Sequence, residues 1–417
     1  MKSLRLHRES GAVSLFVVIF AMLIITVITV SFLRLMVAEQ QQATDNDLSQ
    51  SAYDSAQAGV EDAKRALLRY QQICTTTADP SACADLNAKL SSTECNEALK
   101  ISNIASTENV SSSDGSTRSG EVKVQQSEGV DSALDQAYTC VTMQLQTLDY
   151  VGSLAPGESQ LVPLVGSTNF NTVTVEWFSK DDVTNDTGTV KLLPAPSSDA
   201  LISKDKWDIN TPPVMRTQLI QFGSNFSMTG FDAVDSSSGV TQSNSNSVFL
   251  YPTSSVSVNL VPFTALDTRK NTSGAEADPD TSLLTPRKVQ CKPAVSSSTD
   301  YSCSMSLTLP EPIGGGTTRT AFLRLMPFYN AASFRVVLSN GDPALATNVV
   351  RFKDVQPIID STGRANDIFR RVESRVNLYN TDFPYPDATI DVNGNFCKNF
   401  AVTDDPNTYT ESNTCTP

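Results

Sequence analysis

AVSLFVVIFAMLIITVITVSFL, residues 12–33, carries no charged side chain. As a helix at 1.5 Å per residue it is roughly 33 Å long, enough to cross a hydrocarbon core of about 30 Å. Lys2, Arg5, His7, Arg8 and then Gly11 precede it. After it the chain turns polar, acidic and Ser/Thr-rich. The run therefore marks a membrane-inserted stalk bearing a large head. Its basic flank keeps the N-terminus cytoplasmic and sends the head across, with Arg34 as one charge against that orientation. A cleaved secretory signal is the alternative. Such a signal has an apolar core of about 7–15 residues followed by small residues, whereas this run is longer and ends in bulky FLRLMV at 32–37.

Cys74, Cys83, Cys95, Cys140, Cys291, Cys303, Cys397 and Cys415 all lie beyond the run. Their even number, the lack of Cys-x-x-Cys and the single histidine, His7, favour disulfides formed in an oxidising compartment over a zinc site. Buried free thiols are the other alternative. Pairing stays open within the group 74/83/95/140, with 291/303 and 397/415 as local pairs. A net charge of -14 and a pI of 4.6 disfavour nucleic acid as the primary ligand.

The helix is expected to outrun the membrane. Residues 34–70 contain no proline, and Ala52, Ala56, Val60, Ala63 and Leu67 recur at three- and four-residue steps. Asp54, Glu61, Lys64, Arg65 and Arg69 line the opposite side, with Glu61 and Arg65 placed for an i,i+4 pair. TDNDLS at 44–49 is expected to loosen a turn. Gly59 reads as a weak point, costing about 1 kcal/mol against Ala.

With these residues in view, the N-terminal region resembles the minor type IV pilins of the PilX kind and their type II secretion relatives. The basic leader ending at Gly11 before Ala12 is similar to a prepilin leader, and AEQQQATDNDLSQSAYDSAQAGVEDAKRAL (38–67) is similar to the PilX-type pattern. Glu39, Ala52, Ala56, Ala58, Gly59 and Ala63 are the matching residues. The resemblance implies cleavage after Gly11 by a prepilin peptidase and methylation of Ala12. It also implies assembly through the helix with other major and minor pilins, on an inner-membrane platform. Major pilins carry Glu at the fifth mature position; this chain has Phe16. That departure, shared by PilX-like pilins and the K-type pseudopilin, implies a minor or initiating subunit. IDSTGRANDIFRRVESRVNL (359–378) resembles the last part of PilX-like heads, where a Ser-Thr-Gly turn precedes an Arg-rich strand.

In the head, Gln71–Val110 reads as loops with a short helix around LNAKL and NEALKI, and 111–120 as a loop. Period-two alternation then recurs: Val173, Val175, Trp177; Val256, Val258, Leu260; Cys303 to Leu309; Phe334, Val336, Leu338; Val372 to Leu378. This predicts half-buried antiparallel strands. The polar stretches 179–190, 231–247 and 267–280 read as surface loops or disorder. The expected class is α+β: a transmembrane and stalk helix, then a β-rich, disulfide-containing head. It divides as leader 1–11, helix 12–70, a Cys-containing start of the head 71–150, a β-rich part of one or two lobes 151–380, and a Cys-containing tail 381–417.

Catalytic signatures are sparse. The leader holds the only histidine, so Ser-His-Asp and Cys-His arrangements are excluded, and no nucleotide loop is present. Arg364 beside Gly363 is a weak phosphate candidate, and Arg370, Arg371 and Arg375 are expected to pair with acids or to pack their stems across a sheet face. Trp177 and Trp207 either line a sugar site or sit in the core. Asp387, Asp391, Asn393 and Asn395 offer oxygens for calcium, but Gly394 is out of place and a polar turn explains them better. No cofactor is expected and the chain reads as a non-enzyme. Besides a pilin-like subunit, the sequence allows an independent membrane-anchored adhesin or carbohydrate-binding protein with a surface ligand on a host cell, or an envelope scaffold.

Overall fold

The computed structural model describes residues 10–76, 80–103, 108–111, 117–124, 135–193, 204–223, 245–254, 260–262, 287–314 and 319–378. All belong to one unit, Met1–Tyr379. The second unit, Asn380–Pro417, lies outside the described residues, and with it Cys397, Cys415 and the calcium candidates Asp387, Asp391, Asn393 and Asn395.

Helix α1 is Ser10–Thr76, 67 residues and roughly 100 Å long. It runs unbroken through 44–49, so the expected loosened turn is not formed. The Thr44 hydroxyl folds back on the Gln40 carbonyl at 3.0 Å instead of competing for a turn. Helix α2, Pro80–Leu90, and a 3-10 turn at Glu97–Asn103 fall where LNAKL and NEALKI predicted helix.

The strands are β1 (Glu108–Ser111), β2 (Thr117–Lys123), β3 (Ala137–Thr147), β4 (Tyr150–Leu154), β5 (Gln160–Leu164), β6 (Phe170–Trp177), β7 (Val214–Phe222) and β8 (Ser245–Thr253). They continue as β9 (Leu260–Pro262), β10 (Arg287–Gln290), β11 (Cys303–Ile313), β12 (Thr320–Phe328), β13 (Ala332–Ser339), β14 (Val349–Val350), β15 (Phe352–Ala365) and β16 (Ile368–Arg375). Part of the expected loop 111–120 is therefore strand, because Thr117–Lys123 pairs with β1 and then β3.

Three sheets result, in the orders β1-β2-β3-β15-β16, β10-β8-β7-β12-β5 and β14-β13-β6-β11-β9, with β4 beside β13. The second and third share one core: Val162, Leu164, Met215, Leu219, Leu250, Leu323 and Leu325 meet Val173, Val175, Trp177, Met305, Leu307, Phe334, Val336 and Leu338. The alternating residues predicted for β6, β11 and β13 are these inward positions. The first sheet builds a separate core with the helices, where Val60, Ala63, Ala66, Leu67 and Tyr70 pack with Leu86, Leu90, Tyr138, Val141, Met143 and Ile359. The Ser361-Thr362-Gly363 segment is no turn. It lies inside β15, paired to β3 and β16, and the chain reverses after it at Asn366 and Asp367.

Two disulfides, Cys74–Cys83 and Cys95–Cys140, decide the pairing left open within their group, and Cys291–Cys303 forms as the expected local pair. No free cysteine occurs among the described residues.

Candidate functional site

The site follows from how α1 divides. From Leu15 to Val37 its side chains are bare: Phe16 is 74% exposed, and Leu23, Ile25, Val27, Ile28, Phe32 and Leu33 are exposed too. The hydroxyls in this run are satisfied within the helix. Thr26 donates to the Met22 carbonyl at 2.7 Å, Thr29 to Ile25 at 2.7 Å and Ser31 to Val27 at 2.8 Å. Up to Leu33, before the charge of Arg34, the surface offered is thus apolar all round and long enough to cross a membrane. Gly11 and Ala12 lie in the first turn, and Glu39 is exposed beyond the apolar run. Twenty-three positions separate Phe16 from Glu39, roughly 35 Å along the helix, so one chain does not bring them together.

The second half is seated. Ala52, Ser55, Ala56, Val60, Ala63, Ala66 and Leu67 are buried against the first sheet, as the Ala-rich stripe predicted. Small residues set the distance. A Cβ on Gly363 would lie 2.2 Å from both the Ala52 oxygen and the Ala56 nitrogen. A Cβ on Gly59 would lie 2.4 Å from the Ser361 hydroxyl and 2.9 Å from Val141 Cγ2. Gly59 is therefore a contact point, not the weak point its helix propensity implies. Hydrogen bonds fix the same seat: Ser361 Oγ donates to the Ala56 carbonyl at 2.8 Å, Tyr138 to Asp62 at 2.8 Å and Arg370 Nε to Ser49 Oγ at 2.7 Å. Burial and then the bond to Asp62 push the Tyr138 phenol up. Glu61 and Arg65 do not pair with each other. Asp62, held at the sheet by Tyr138, takes Arg65 at 3.0 Å, and Glu61 takes Lys64 at 2.7 Å.

On the other face of that sheet, Arg364 is fully buried between Glu121 at 2.6 Å and Asp135 at 2.8 Å, and also donates to the Asn366 carbonyl. Burial opposes its charge, but the two carboxylates outweigh burial and raise its pKa. This internal triad, which the sequence did not reveal, closes Arg364 to phosphate. Arg371 pairs with Asp360, and Arg375 with Asp149 at 2.8 Å, as expected, whereas Arg370 takes the Ser49 hydroxyl and not an acid. Nearby is a groove of about 720 Å³ whose lining mixes Ser91, Thr93, Arg351 and Asp360 with the apolar Met143 and Ile358. Both tryptophans belong to the core. Trp177 is fully buried and donates to the Pro213 carbonyl, and Trp207, 7% exposed, stacks on Tyr329. The stretch 179–190 is an ordered loop: Asp182 accepts from Ser179 and Ser333, and Asn185 accepts from the Thr189 amide. No group of three or more metal-ligating side chains occurs among the described residues.

No protein-family model matches this chain, and no curated protein or solved structure matches it either. The geometry gives a membrane-anchored protein with a β-rich domain stabilised by disulfides.

Proposed function

We propose that this chain is a minor pilin-like structural subunit of a type IV pilus or a related secretion pseudopilus, acting in assembly or at the tip. The observation that carries the reading is the division of α1. Leu15–Leu33 is bare and apolar all round, and 52–67 is locked to a sheet through Gly59, Ser361 and Gly363. Such a helix sits equally well in lipid or among copies of similar helices, while the head stays rigidly attached. Phe16 leaves no acid near the start of the helix to meet a neighbour's amino terminus, which fits a subunit used in few copies. In this reading the work is packing, not catalysis. The partners are other pilins, the prepilin peptidase that cuts between Gly11 and Ala12, and the membrane assembly platform. An independent anchored adhesin is the second reading; the groove between Ser91–Thr93 and β3 is the feature that favours it.

Mass spectrometry of the mature N-terminus from the native host tests the proposal. A start at N-methyl-Ala12 is the expected result. An intact Met1, or a start beyond Val37, overturns it.

A further inference from the structure

Strand β15 passes from one core to the other. Phe352 and Val355 belong to the core between the second and third sheets, and Ile359 to the helix core. Between Lys353, opposite Gln146, and Ile358, opposite Gln144, the register with β3 breaks and the chain bulges. This bulge is the joint. Gln356 spans it to β4, accepting from the Val151 amide at 3.0 Å and donating to the Val151 carbonyl at 2.8 Å. The Val355 carbonyl accepts from Leu378, whose own carbonyl takes the side chain of Gln71 at the end of α1.

Asp354 stands in this bulge with φ +57°, a left-handed conformation that a non-glycine residue adopts at a cost. Its Oδ2 accepts from the Tyr70 hydroxyl at 3.0 Å, tying α1 to the joint. Its Oδ1 is buried with no hydrogen-bond partner. An ionised carboxylate with one desolvated, unbonded oxygen is unfavourable, and protonation relieves it. The groups acting on it are Tyr70 from α1 and Lys353 on its own strand; among the described residues α2 adds the neutral Asn87, against the Tyr70 hydroxyl.

We propose that Asp354 is a proton-sensitive pin, whose ionisation sets how firmly the end of α1 is held to the joint between the two cores. Burial, partly offset by the Tyr70 bond and Lys353, moves its carboxyl upward. The sign follows. A carboxyl whose folded pKa is raised contributes stability that is fully present below its unfolded pKa and is lost as pH rises through the folded value. The joint is therefore tighter in mild acid than at neutral pH.

The test is hydrogen exchange on the full chain between pH 4 and 8, corrected for intrinsic rates, read over 66–74 and 352–358. Wild type should lose protection as pH rises, about tenfold for each pH unit by which folding raises the carboxyl. Asp354→Asn should hold its acid-level protection throughout. Tyr70→Phe removes a bond to the ionised form and should move the wild-type midpoint to higher pH. A flat wild-type profile, an Asp354→Asn profile that still falls with pH, or an unmoved midpoint in Tyr70→Phe overturns the proposal.

Discussion

Gly363→Ala tests the seat of α1 most directly. Its backbone carries no positive φ, so alanine is conformationally acceptable, and strand propensity alone expects a gain of about 0.5–1 kcal/mol. The structure demands the opposite. The new Cβ would meet the Ala52 oxygen and Ala56 nitrogen at 2.2 Å and the Ser55 carbon at 2.8 Å. These are backbone atoms of a continuous helix and cannot turn aside as a side-chain tip can. Restoring ordinary contact moves helix and strand apart by roughly 1 Å. Overpacking of this kind costs about 1–3 kcal/mol, and the upper end applies where neither side can yield. The same displacement stretches the Ser361–Ala56 hydrogen bond, a further loss of about 1 kcal/mol. The net expectation is a loss of about 3 kcal/mol, measured by urea unfolding of the detergent-solubilised chain. Gly59→Ala meets side-chain atoms and not backbone, so its loss should be smaller, and Ser361→Ala beside it should recover part of it in a double-mutant cycle. A Gly363→Ala variant as stable as wild type, or more so, would refute the close seat of the helix.

Four other outcomes follow from the same structure. Replacing both Cys95 and Cys140 by Ser should cost more than replacing Cys74 and Cys83, about 4 against about 2.7 kcal/mol from loop closure over separations of 45 and 9 residues, in paired denaturation curves. Arg364→Met strands Glu121 and Asp135 in a buried site and should cost about 3–5 kcal/mol, visible as lost thermal stability. Tyr150 is pushed up to about 12 by burial, partly offset by its bond from Gln160, so its contribution is complete below about pH 10 and lost as pH rises toward 12. Tyr150→Phe should therefore flatten alkaline unfolding monitored across that window. Ile25→Arg places a charge in the middle of the bare apolar run, costs about 2.5–3.5 kcal/mol of insertion and should shift the chain out of the membrane fraction.

The long apolar helix, its Ala-rich continuation and the alternating strands were legible because each is a local pattern with a period set by backbone geometry. Ala56, Val60, Ala63 and Leu67 announced the seated face, and Val173, Val175 and Trp177 the inward face of β6. The seat's other half was not legible. Gly363 and Ser361 follow Ala56 by some 300 residues, and nothing local marks a glycine needed for close approach; the turn there was implied by the PilX resemblance alone, and the segment is mid-strand. Gly59 was misjudged for the same reason, since intrinsic propensity knows nothing of the sheet beneath it.

By itself, then, the sequence determined that one end of this protein belongs in an apolar environment and that the rest is a β-rich, oxidised head, because hydrophobic periodicity and cysteine placement act over a few residues. Only the tertiary structure decided which cysteines pair, that Arg364 is held by Glu121 and Asp135, that β15 joins two cores, and that Asp354 sits between them with an unbonded oxygen. Those outcomes depend on which distant segments share a sheet, and long-range pairing is chosen by the packing of the whole chain.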